Sequence, residues 1–225
     1  MLRLQEEGYF LSSPNNKSYR VDLVIMIVAL AINGCGVLPS RTSEAIHTFT
    51  LSPAMPTEPR SMQGGEGTLL VNLPRAQSGF NTQRMAYVTR DHELRYFAFN
   101  QWAETPAHML LPLLVNALEK TNRWEAVVQM PSPARGDYQL APENLLLQHE
   151  FTQEPSRVRI QLRLQLIRLQ DFRVVATREF TVLEHAKSDD PYGGVQAANL
   201  AAGRLLKEIS EWLSLCMVEP TDSNC

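Results

Sequence analysis

The pattern of apolar and polar positions opens with one uninterrupted apolar run, Leu23 to Ile32, and then switches between two periods. A period of two marks strands and a period near 3.6 marks helices. His47–Leu51 alternates and predicts a short strand. Ser52–Gly67 carries Pro53, Pro56, Pro59 and a cluster of glycines, and predicts a loop. Thr68–Leu73 is almost continuously apolar and closes at Pro74, which suits a central strand buried on both faces. Arg84–Val88 and Leu94–Phe99 flank Thr89–Glu93 and read as a hairpin.

Thr105-Pro106 predicts a helix start, because Thr caps and Pro sits where its missing N–H costs nothing. Met109, Leu110, Leu113, Leu114, Ala117 and Leu118 then form one apolar stripe that ends near Thr121-Asn122. Trp124–Met130 reads as a strand and Pro131–Asp137 as a loop. Leu145, Leu147, His149 and Phe151 share a strand face. Arg157–Leu166 alternates strictly, and a turn at Gln170-Asp171 leads to Arg173–Val182. These strands predict an antiparallel meander, polar on one side and apolar on the other. Asp190-Pro191 opens a last helix that buries Val195, Ala198, Ala202, Leu205, Leu206, Ile209 and Leu213, with Ala198, Ala201 and Ala202 permitting close approach to a sheet. The fold class is therefore α/β: a mixed, largely antiparallel sheet with helices packed on it as a sandwich.

The opening run is a different object. Ten residues make a helix of roughly 15 Å, about half the ~30 Å hydrocarbon core of a bilayer, which is short for a span and right for the h-region of a secretory signal. Lys17 and Arg20 precede it, although Glu6 and Glu7 dilute the positive charge and the preceding segment is long for a signal. Ile32-Asn33-Gly34-Cys35 resembles a bacterial lipobox, which implies cleavage between Gly34 and Cys35, acylation of Cys35 and a membrane anchor. The competing reading is an uncleaved anchor with an incidental cysteine. The domain plan is a signal peptide over 1–34, a lipidated tether over 35–46, a domain over 47–215 and a tail over 216–225.

The net charge of −3 gives no general reason to bind nucleic acid. After Cys35, lysine occurs only at 120, 187 and 207, and the remaining cations are arginines, a bias that genome composition explains. Cys216 and Cys225 can pair in an oxidising envelope and tie down the tail, or stay separate with Cys216 packed at a helix end. Arg157, Arg159 and Arg163 share one strand face and form either a surface for an acidic partner or lipid headgroups, or a solvated face.

Catalytic signals are weak. Ser78-Gly79-Phe80 sits in a loop with no histidine placed beside it by sequence, and no G-x-S-x-G occurs. His47, His92, His108, His149 and His185 show no metal-ligand spacing, so neither a metal site nor a cofactor is expected. His149, on an apolar strand face, reads as a satisfied core histidine. Asp189-Asp190 reads as a helix N-terminus. Tyr87, Tyr96, Phe97, Phe99 and Trp102 crowd one region and suit core packing, a groove or an interface.

The residues taken together resemble the ABC-type transport auxiliary lipoprotein family, which includes the PqiC lipoproteins. The resemblance rests on Phe49-Thr50-Leu51, Gln83-Arg84-Met85-Ala86-Tyr87, Trp102 with Glu104 and Pro106, Tyr138-Gln139-Leu140, the Arg157-Val-Arg-Ile strand and Trp212. It implies an α/β sandwich and a non-enzymatic, membrane-anchored lipoprotein facing the periplasm. It also implies that the chain docks an MCE-domain protein and its inner-membrane transport complex, which moves lipids or other apolar compounds. Gly36 rather than Asp follows Cys35, so the usual inner-membrane retention signal is missing and the expected location is the outer membrane. A homo-oligomer is compatible with the sequence. The alternative is a free-standing lipid-carrying or structural envelope lipoprotein.

Overall fold

A computed structural model describes residues 44–54, 65 and 67–218. Gly34, Cys35 and Cys225 lie outside the described residues, and so does most of the tether. The described elements are β1 (His47–Phe49), β2 (Thr68–Val71), β3 (Arg84–Val88), β4 (Arg95–Trp102), α1 (Pro106–Lys120), β5 (Ala126–Gln129), β6 (Tyr138–Glu150), β7 (Arg157–Arg168), β8 (Arg173–His185) and α2 (Pro191–Val218).

The eight strands form one mixed sheet. Its long ladders are antiparallel, β6 with β7 and β7 with β8, as the alternation of Arg157–Leu166 predicts. The free side of β6 is shared: β2 pairs in parallel with Leu140 and its neighbours at one end, and β3 pairs in parallel with His149 and Glu150 at the other. β5 adds to β2 and β1 adds to β4, both in parallel, while β3 and β4 close as an antiparallel hairpin. Leu69 and Val71 on one face of β2 and Leu70 on the other are all buried, as expected of a strand covered on both faces.

β6 is longer than its alternation suggests. Pro142, Glu143 and Asn144 interrupt the period of two, and the structure absorbs them in a bulge where the register shifts between Glu143 and Leu146. Asn144 takes φ 57°, a left-handed conformation that asparagine tolerates better than most residues. The Pro142 carbonyl accepts from the Arg75 N–H at 3.0 Å, so its backbone still serves the sheet.

Val158, Ile160, Leu162, Leu164 and Leu166 of β7 are all buried, with α2 packed on β7 and β8 and α1 packed on β5 and β6. α1 starts as predicted: Thr105 is extended and its side chain accepts from the His108 N–H. Its stripe is rotated slightly from the expected one, with Leu111 buried and Leu113 half-buried. α2 buries all seven predicted positions, and Ala198, Ala201 and Ala202 are almost fully enclosed. At about 25 cal/mol per Å² of apolar surface removed from water, such faces supply the main stabilisation.

Three of the segments that carry the family resemblance, around Phe49, Gln83 and Trp102, meet at one corner. The Ala103 N–H donates to the Phe49 carbonyl at 2.7 Å, the Trp102 N–H donates to the Gln83 carbonyl at 2.7 Å, and the Gln83 side chain donates to the Ala103 carbonyl at 3.0 Å. Trp212 packs edge-on to Phe180, with ring centroids 5.6 Å apart.

Candidate functional site

The sheet face away from the helices carries the arginines of β7. Strand register places each opposite or beside a carboxylate of β6, since Glu150 faces Arg157, Gln148 faces Arg159 and Glu143 faces Arg163. Arg157 Nε donates to Glu150 Oε2 at 2.7 Å and Arg159 Nε donates to Glu150 Oε1 at 2.6 Å. Gln148 Nε2 adds a third donor at 2.9 Å, and Arg163 pairs with Glu143 at 3.1 Å. Burial pushes the Glu150 carboxyl up, but the donors from Arg159, Arg157 and Gln148 outweigh it and hold the group below the usual carboxylate range.

A 600 Å³ cavity opens over this cluster, lined in part by Gln148, Glu150, Arg157 and Arg159 and on its far side by Arg90 and Glu93 of the β3–β4 turn. Arg90 and Arg95 both pair with Glu93, which stiffens that turn. The arrangement is a paired-charge surface with guanidinium edges partly open to solvent, suited to polar recognition across a protein interface.

His149 is buried, as expected, and its Nε2 lies 2.8 Å from Ser156 Oγ. Its Nδ1 has no hydrogen-bond partner. Burial pushes its pKa down, against the pull of Asp189 and Asp190. Asp189 accepts from the Ser156 N–H at 2.9 Å, and Asp190 caps α2 by accepting from the Gly193 N–H at 2.7 Å. Sequence reading missed Ser156, the partner of His149, because the β6–β7 turn that brings them together is not visible in the spacing. A Ser-His-Asp set is present in composition, yet Ser156 is only 1 % exposed and Asp189 holds the serine instead of the histidine. No substrate reaches that hydroxyl, so the set latches the turn to the helix start.

Ser78 lies in a cavity whose lining includes Arg84 and Tyr96 but no histidine. Among the described residues no group of three His, Cys, Asp or Glu could hold a metal ion, and no helix is long and apolar enough to cross a membrane. The aromatic cluster divides: Trp102 is buried, the Tyr87 and Phe97 rings lie 4.5 Å apart and tilted by 30°, Tyr96 donates to the Gly79 carbonyl at 2.7 Å, and Phe99 is exposed. Cys216 is buried within α2.

These features define a two-layer domain with two helices on one face of a mixed sheet, whose buried polar clusters hold structure and whose open face is polar. The family model for the ABC-type transport auxiliary lipoprotein component matches residues 49–210, and the chain belongs to that family. It is accordingly a transport-associated lipoprotein of the cell envelope, in a family that is not an enzyme class. A crystal structure of a Xanthomonas campestris protein of the DUF330 family is similar, with TM-score 0.67 and 25% identity over 78% of this chain and 97% of that one. A second crystal structure, of an uncharacterized protein, aligns with TM-score 0.56 and 16% identity over 76% of this chain and 99% of that one. A PelC dodecamer from Paraburkholderia phytofirmans aligns more distantly, with TM-score 0.41 and 13% identity over 66% and 93% of the two chains. Among curated proteins, none matches the chain.

Proposed function

We propose that the protein is a lipid-anchored periplasmic lipoprotein, held by acyl chains on Cys35, that docks an MCE-domain protein and its inner-membrane ABC complex. In this reading the transported lipid or other apolar compound passes through or beside the assembly, and this chain turns over no substrate. The observation that carries the reading is the family match over residues 49–210, preceded in the chain by an apolar run that closes on Cys35. The absence of Asp at position 36 favours the outer membrane as the site of anchoring. Arg157, Arg159 and Arg163, with the cavity beside them, form the proposed docking face.

Cross-linking in intact cells, followed by affinity purification on a C-terminal tag and mass spectrometry, tests the reading. Recovery of an MCE-domain protein supports it, and Arg157→Glu with Arg159→Glu should then weaken the cross-link. If lipid stays bound to the purified protein and no MCE partner is recovered, a free-standing lipid carrier replaces the adaptor.

A further inference from the structure

α2 carries a second stripe besides its buried one. Tyr192, Gln196, Asn199, Leu200 and Gly203 recur at helical spacing and, with the buried Val195 at its floor, line a 570 Å³ groove on the outside of the helix. Tyr192 is 58% exposed and Leu200 is 50% exposed, so two large apolar side chains of the stripe face water. The remaining lining includes three cations, Lys187, Arg204 and Lys207, and no carboxylate. Arg204 is tied at 2.8 Å to Glu184, while Lys207 lies 3.7 Å from Glu211, so the lysines are the freer charges.

The first described residues run beside this groove. The described polypeptide begins at Glu44 and runs along α2: Phe49 lies 6.3 Å from Tyr192, Asn199 donates to the Thr50 carbonyl, and Ala54 borders the groove. Eight residues lie between Cys35 and Glu44, and the nine residue steps from one to the other span about 30 Å when fully extended. An acyl chain on Cys35 therefore keeps this face close to the bilayer.

We infer that the Tyr192–Leu200 stripe, with Lys187, Arg204 and Lys207 around it, is a membrane-resting surface that takes anionic phospholipid headgroups. The inference rests on the lipoprotein anchor proposed above. An aromatic ring of mixed character with a leucine suits the headgroup boundary, and each cation close to an anionic surface adds about fivefold in partitioning. Resting there would orient the domain on its membrane and leave the polar face of the sheet open for a partner.

The test uses the full-length lipidated protein in vesicles of equal parts brominated phosphatidylcholine and phosphatidylglycerol, with flotation as the check on anchoring. Tyr192→Trp reports from the groove and Phe172→Trp reports from the exposed β7–β8 turn. The native tryptophans 102, 124 and 212 are buried and give a constant background. The inference expects quenching of Trp fluorescence in Tyr192→Trp and none beyond background in Phe172→Trp. It also expects the Tyr192→Trp quenching to be reduced by Lys187→Glu with Lys207→Glu. Flotation without quenching at position 192 overturns the membrane surface and leaves the anchor standing; it would point to a protein occupant of the groove. Failure to float overturns the anchor, and this surface with it.

Discussion

His149 Nε2 lies 2.8 Å from Ser156 Oγ, and both side chains are buried where the β6–β7 turn meets the start of α2. Ser156→Ala would remove the one hydrogen bond that the imidazole makes. A buried polar group left unpaired costs about 1–3 kcal/mol, so the denaturant midpoint should fall correspondingly. Partner capture by the folded variant should be unchanged, and a loss of capture without loss of stability would give the pair a role beyond structure.

The same histidine sets a pH dependence. Its folded pKa lies below the ordinary value of 6.5, so the unfolded chain binds the proton first. Its effect is nil well above pH 6.5, and stability declines as pH falls through 6.5. Glu150 acts in a separate window: its depressed pKa stabilises the fold above the ordinary value of 4.5, and that contribution is lost as pH falls through the lower folded value. Thermal melts between pH 7 and pH 5 should therefore show a decline that His149→Gln flattens.

Glu150→Gln should be costly because one carboxylate accepts from Arg157, Arg159 and Gln148 while almost fully enclosed. Hydrogen bonds to charged groups contribute about 1.5–3 kcal/mol, and equilibrium unfolding in urea would read the loss. Glu93→Gln, at the exposed turn, should leave the midpoint nearly unchanged.

Gly194 sets the backbone of α2 against the His149 ring of β6. A Cβ there would stand 2.5 Å from His149 Nδ1. Alanine is favoured over glycine within a helix by about 0.8–1 kcal/mol, but overpacking a core costs about 1–3 kcal/mol. Gly194→Ala should thus destabilise on balance, and a melting temperature at or above that of the parent would contradict the close approach.

The anchor is testable at one atom. Cys35→Ser removes the thiol that acylation requires and should leave precursor of unprocessed mass in the membrane fraction. Intact-mass spectrometry showing a normally processed, acylated variant would defeat the lipobox reading.

Local pattern made most elements readable. The strict alternation of Arg157–Leu166, the Thr105-Pro106 and Asp190-Pro191 helix starts and the continuous run at Thr68–Leu73 each reflect a constraint acting within a few residues. β6 was legible only in part, because Pro142 to Asn144 break its period and the bulge that rescues them depends on β7 and on the loop before β3. The arginine stripe was visible, whereas its partners were not. Glu150 is seven residues from Arg157 along the chain, and Glu143 meets Arg163 only because the bulge moves the register by one.

Sequence by itself determined the α/β class, the helix starts, the meander, the family and the placement of an apolar run before Cys35, since these depend on periodicity, capping and short motifs. Tertiary structure alone decided that β6 is shared between β2 and β3, that the Ser156–His149 pair is closed to solvent, and that residues 49–54 run beside the outward stripe of α2. Those are relations between residues far apart in the chain, set by strand register and helix docking, and no local pattern encodes them.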